Sequence, residues 1–142
     1  MADISGMIQA QELRFMQSWM HREAGDIRKL TARDFMMIVG SNPPELLDRP
    51  SFIEALKTDF SCIGFRLGES VVRRHGRGAW FTSGAELELK VGSREWSGRF
   101  LITGLWRKHR IGGWKLVERT LCSLDADERL AASIRRMQMW QG

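Results

Sequence analysis

Four long segments follow one another in the second half of the chain, at about Ile63–Arg74, Gly78–Val91, Glu95–Arg110 and Trp114–Ser123. Each alternates apolar and polar residues over most of its length, the period of a strand with one face buried. The separators are His75-Gly76-Arg77, Gly92-Ser93-Arg94 and Ile111-Gly112-Gly113, all suited to tight hairpins. No helical pattern intervenes. Parallel neighbours need a long crossover, so these strands must form an antiparallel meander. A doubly wound parallel sheet is excluded.

The first half reads as helical. Gln9 to Ala24 carries Leu13, Phe15, Met16, Trp19 and Met20 at near-helical spacing. Gly25 suits the left-handed position that closes a helix. Asp26 is placed to cap a short helix from Ile27 to Thr31. Phe35 to Val39 is compact and apolar, a buried strand. Turn residues follow, and Glu45 to Asp48 returns as a short partner strand. Ser51 with Glu54 forms a capping box for a helix to about Asp59. Asp125 with Glu128 resembles a cap for a last helix, about 125–140, with the stripe Leu130, Ile134 and Met137. That stripe is expected to pack on protein and not on membrane. The expected class is α+β, in one domain over 1–142 with its core at about 8–123.

Composition narrows the function classes. The longest apolar run, Phe35-Met36-Met37-Ile38-Val39, is too short to cross a bilayer. The first residues show no basic and apolar leader, so a cytoplasmic protein is expected. Cys62 and Cys122 are too few for a disulfide scaffold or a thiolate zinc site. They read as small buried hydrophobes. His21, His75 and His109 lack metal-ligand spacing, so no metal and no cofactor is expected. The net charge is +5, and the surplus lies in residues 61–119, with 12 basic and 5 acidic residues. The hairpins Arg73-Arg74-His75-Gly76-Arg77 and Arg107-Lys108-His109-Arg110 fall at the same end of a meander. A solvated face explains them best. No nucleic-acid motif accompanies them, so nucleic acid is not an expected partner.

Alternation assigns the faces. The inner set is Ile63, Phe65, Leu67, Glu69 and Val71; Ala79, Phe81, Ser83, Ala85, Leu87 and Leu89; Trp96, Phe100, Ile102 and Trp106; and Trp114, Leu116, Glu118, Thr120 and Cys122. Gly84 marks a place where a bulge could shift register. The outer face then holds Trp80, Leu101, Leu105, Val117 and Leu121 among arginines. An apolar centre with a charged rim is an interface composition, and a homodimer is expected. Glu69 and Glu118 point inward. A buried carboxylate needs a partner, a proton or a wet pocket. Glu118 is therefore the candidate general base, and Glu69 the second choice. The competing reading is a salt bridge to Arg14, Arg28 or Arg33. Glu118 is expected beside Trp19, Met37, Phe65 and Trp106, which would line a ligand pocket.

The order of elements and two motifs carry a family resemblance. Gly78-Ala79-Trp80-Phe81-Thr82-Ser83-Gly84-Ala85-Glu86-Leu87 resembles one strand motif, and Gly112-Gly113-Trp114-Lys115-Leu116-Val117 a final-strand motif. The chain resembles the nuclear transport factor 2-like superfamily, in its SnoaL-like branch of unknown function, over residues 8–123. The resemblance implies a cone: a strongly curved antiparallel sheet wrapped on N-terminal helices, with a pocket at the wide end. It also implies dimers formed through the outer sheet face. Members include isomerases, dehydratases, cyclases, epoxide hydrolases and non-enzymatic binders, so the fold does not decide the function. The catalytic sets do not carry over. The chain has no tyrosine, and Glu118 and Thr120 stand where related chains often place histidine.

The expected function is a small-molecule-binding or accessory protein with a mostly apolar pocket for an apolar or anionic ligand. The alternative is a small cofactor-independent isomerase or dehydratase using a pocket carboxylate as base.

Overall fold

The computed structural model describes residues 3–40 and 43–125. The C-terminal helix expected from the sequence falls, beyond Asp125, outside these residues. The elements run α1 (Ile4–Met20), α2 (Ala24–Leu30), β1 (Thr31–Val39), β2 (Glu45–Asp48), α3 (Arg49–Thr58), β3 (Phe60–His75), β4 (Gly78–Val91), β5 (Arg94–Lys108) and β6 (Trp114–Ser123).

The strands form one curved sheet in the order β2-β1-β6-β5-β4-β3. β3 to β6 are the antiparallel meander that the turn chemistry demands. β1 adds to it parallel to β6, and β2 folds back antiparallel on β1. The sheet is therefore mixed at this end. At the first hairpin Gly76 has φ +59, a left-handed backbone that glycine adopts without steric cost.

The helices lie on one face of the sheet and close the core. Phe15 and Trp19 of α1, Phe35 of β1, Phe52 of α3 and Phe60 of β3 form a contiguous aromatic cluster. The Phe15 and Phe52 rings stack with centroids 5.9 Å apart. The Trp19 indole N–H donates to the Phe60 carbonyl at 3.1 Å, so the one polar atom of this large ring is satisfied.

Three local expectations are corrected. α1 ends at Met20 with His21 as its cap, Arg22 takes the left-handed conformation, and Gly25 lies inside α2. α2 starts before Asp26, which falls in its first turn and not at its cap. α3 is capped by Asp48 and not by Ser51: the Ser51 backbone N–H donates to Asp48 Oδ1 at 2.9 Å. Pro50 occupies the first turn, where its missing N–H costs nothing.

The Ser51 side chain, and then its backbone N–H, hold the Asp48 carboxyl below its ordinary value of 3.8. Its folded-state value is thus depressed. The stability it contributes is present above 3.8 and is lost as pH falls through the lower folded value. Asp48→Asn keeps a cap and removes the titration. Urea midpoints measured from neutral pH to below 3.8 should fall less steeply in this variant than in the wild type. Equal slopes would show that the cap does not couple to pH.

Candidate functional site

The centre of the cone holds a charged pair. Ile8, Glu12, Phe15 and Trp19 lie along the buried stripe of α1. Glu12 meets Arg119 of β6, and neither side chain has any exposed surface. Arg119 Nη2 donates to Glu12 Oε2. Its Nη1 donates to the Thr103 carbonyl at 2.9 Å, and the guanidinium carbon sits 5.2 Å from the Phe15 ring centre. The Trp106 indole N–H donates to Glu12 Oε1 at 2.8 Å. Arg119 Nε has no hydrogen-bond partner among the described residues. Gly104, the register partner of Arg119, leaves room for this group. A Cβ there would lie 2.6 Å from Glu12 Oε1 and 2.8 Å from Arg119 Nη1. One acid, one base and an indole thus fill the space between α1 and the sheet at this level.

Sequence alternation missed this pair because β6 changes phase. Leu116 pairs with Trp106 and Glu118 with Leu105, so Val117 is an extra residue in a bulge. Before the bulge, Trp114 and Leu116 are buried as expected. Beyond it the faces exchange. Glu118 is exposed on the outer face, and Arg119 and Leu121 turn inward. The placement of Glu118 inside the cone is corrected accordingly, and so is that of Leu121 on the outer face. Val117 is buried as well, at 8 % exposure. The signal was the adjacent apolar pair Leu116-Val117, which breaks strict alternation. For Glu12 it was a carboxylate at helical spacing from Ile8, Phe15 and Trp19.

The expected pocket residues are dispersed. Trp19, Met37 and Trp106 are fully buried core. Phe65 is half-buried and lines a separate surface cleft with Arg66, Glu86, Glu88 and Arg99. Glu69 is exposed, because β3 carries a bulge between Leu67 and Ser70, opposite Gly84. The irregularity foreseen at Gly84 thus falls on its neighbouring strand. The same bulge turns Val71 out and Val72 toward the core. A second bulge exposes Ile63. Trp96 is half exposed near the β4–β5 hairpin, with the Arg94 guanidinium 4.9 Å from its ring centre.

The bulge at Glu69 forms one wall of an open groove of about 560 Å³ between α1 and β3. Gln9 and Leu13, one helical turn apart, form the other wall. Leu67, Phe81, Gly68 and Ser70 complete it. Gln9 Nε2 donates to Ser70 Oγ at 2.7 Å, tying helix to strand. The groove offers apolar surface from Leu13, Leu67 and Phe81, a carboxylate from Glu69, and amide and hydroxyl groups from Gln9 and Ser70. That composition can hold a small apolar molecule bearing a donor or a positive charge.

Other chemistries lack support among the described residues. No group of three or more His, Cys, Asp or Glu is arranged to hold a metal. Both cysteines are free, and burial pushes the Cys62 thiol up to about 11, far from a reactive thiolate. No helix there is long and apolar enough to cross a membrane.

The pattern of a SnoaL-like domain matches residues 9–122. The chain belongs to the SnoaL-like domain family. Solved structures agree on the fold. An NTF2-like protein from Cytophaga hutchinsonii superposes with a TM-score of 0.78 at 13% identity, covering 87% of this chain and all of that one. A putative Ca/calmodulin-dependent kinase II association domain from Exiguobacterium sibiricum gives 0.72 at 20% identity, over 89% of this chain and 99% of that one. The S. rosetta CaMKII hub gives 0.68 at 13% identity, over 85% and 97%. No curated protein matches. At these identities the likeness is one of fold. This SnoaL-like chain has the NTF2-like architecture that its sequence motifs imply.

The buried pair makes a double-mutant prediction. Arg119→Met strands the Glu12 carboxylate and should cost about 3–5 kcal/mol in urea unfolding. Adding Glu12→Gln removes the stranded charge while keeping an acceptor for Trp106. The double variant should be more stable than Arg119→Met alone. If it is less stable, the pair is not what holds α1 to β6.

Proposed function

We propose that this SnoaL-like chain is a small-molecule-binding or accessory protein whose ligand occupies the groove between α1 and β3. The observation that supports this is where the charges lie. The interior acid and base neutralise each other, whereas the groove combines apolar surface with the exposed Glu69, which has no ion pair among the described residues. Its ligand is a small apolar molecule, neutral or cationic at one end, because Glu69 repels an anion there. The alternative isomerase or dehydratase reading keeps Glu69 as its candidate base, in place of Glu118. Two free cysteines fit a reducing compartment such as the cytoplasm.

The groove is tested by screening apolar amines, alcohols and carboxylic acids by protein-observed NMR. Amines and alcohols should perturb α1 and β3 in preference to acids. Leu13→Ser, at an exposed position, should weaken them about tenfold by removing part of the apolar wall without adding charge. Perturbations confined to other surfaces would refute the groove. Glu69→Gln that retains binding but abolishes turnover of a hit would favour the enzyme.

The same proposal includes a homodimer through the outer sheet face. Trp80, Leu101 and Leu105 are exposed there, at 37–39 %. A register row of Leu46, Ile38, Thr120, Thr103, Thr82 and Val71 crosses all six strands beside them, without a charge. A neighbour named as an association domain and another named as a hub add support from the fold. Leu105→Glu should convert the protein to a monomer in sedimentation. A wild type already monomeric at high concentration would sink the dimer.

A further inference from the structure

A second cleft, formed by α2, β1 and α3, has the opposite charge. It measures about 540 Å³ and is lined by Arg28, Arg33, Arg49, Pro50, Ile53, Glu54 and Lys57. Three elements bring the arginines together: the last turn of α2, the start of β1 and the first residue of α3. Arg28 and Arg33 are exposed and form no ion pair among the described residues. Arg49 is half-buried. Its Nη2 donates to the Arg28 carbonyl at 3.0 Å, which fixes the guanidinium beside α2. Its Nε is shielded from solvent and has no hydrogen-bond partner there. Glu54 lies 3.9 Å from Lys57, and both are exposed.

We propose that this cleft binds a small molecule carrying a phosphoryl or carboxylate group, held by Arg28, Arg33 and Arg49. Arg28, Arg33, Arg49 and Lys57 face one acid, Glu54, which lies beside Lys57, so the cleft keeps a surplus of positive charge that an anion offsets. Burial and the neighbouring charges of Arg28 and Arg33 all press on Arg49 in the direction that an anion would relieve. Guanidinium groups suit the role because their planar N–H forks match phosphate and carboxylate oxygens two at a time. Pro50 and Ile53 offer apolar contact to the rest of the ligand. The α3 amide of Ser51 is already taken by Asp48. The arginine side chains, and not the helix terminus, therefore carry the recognition. The cleft has the volume of a small-ligand site. This inference goes beyond the groove reading, and neither depends on the other.

Titration calorimetry of the whole chain with inorganic phosphate, against sodium chloride at matched ionic strength, tests it. Saturable phosphate binding is expected, weakened about tenfold by Arg33→Gln and by Arg49→Gln. Arg33 is exposed, so its variant reports even if Arg49→Gln fails to fold. Phosphate that acts no more strongly than chloride overturns the site, as does binding that Arg33→Gln leaves unchanged. Co-sedimentation with phosphatidylcholine vesicles, with and without phosphatidic acid, separates the sources. Vesicle capture without binding of free phosphate would overturn a small-molecule site in favour of a lipid surface.

Discussion

The packing of this cone depends on one buried contact between opposite charges. Glu12 and Arg119 lie far apart in sequence, on the first helix and the last strand, and meet without solvent. Neither could be buried alone at tolerable cost. The glycine at 104, the Trp106 indole and the Thr103 carbonyl all serve that contact, by making space or by supplying a hydrogen bond. α1 is therefore fixed on the sheet in both position and rotation. The aromatic cluster of Phe15, Trp19, Phe35, Phe52 and Phe60 alone would tolerate more variation, because apolar contact is not directional.

Between α1 and the sheet, Glu12, Arg119 and their neighbours fill the interior with side chains. The clefts proposed for binding open where elements separate. On one side the β3 bulge swings Glu69 into the open beside α1. On the other, α2, β1 and α3 leave a cleft lined with arginine. The two surfaces differ in sign, so electrostatics alone would sort ligands between them.

The strands were legible because alternation and glycine turns act over a few residues. The β3 to β6 boundaries lie close to those read from the chain. The partner set of β4, from Ala79 to Leu89, is buried throughout, as its unbroken period requires. What local patterning could not supply was the phase after an irregularity. In β6 one extra residue at Val117 reverses every later assignment, which is how Glu118 exchanged places with Arg119. The α3 start was misplaced for a related reason. Asp48 and Ser51 are both competent caps, and Pro50 between them indicates the earlier one. Glu12 was hidden by composition: a single acid in an apolar stripe looks like surface until its partner arrives from across the fold.

The two bulges of β3 have a consequence for how copies of this chain can meet. β3 is sixteen residues long and terminates the sheet on one side. A regular border strand of that length would present an uninterrupted row of free amides and carbonyls, a template for strand-to-strand growth. The irregularities after Cys62 and Leu67 break the row, and Gln9 ties α1 to Ser70 beside the second. At the opposite border, β2 offers only four residues. The sheet is thereby closed to extension in its own plane. The dimer proposed through the outer face would close by two-fold symmetry, ending in a discrete particle and not in a fibre.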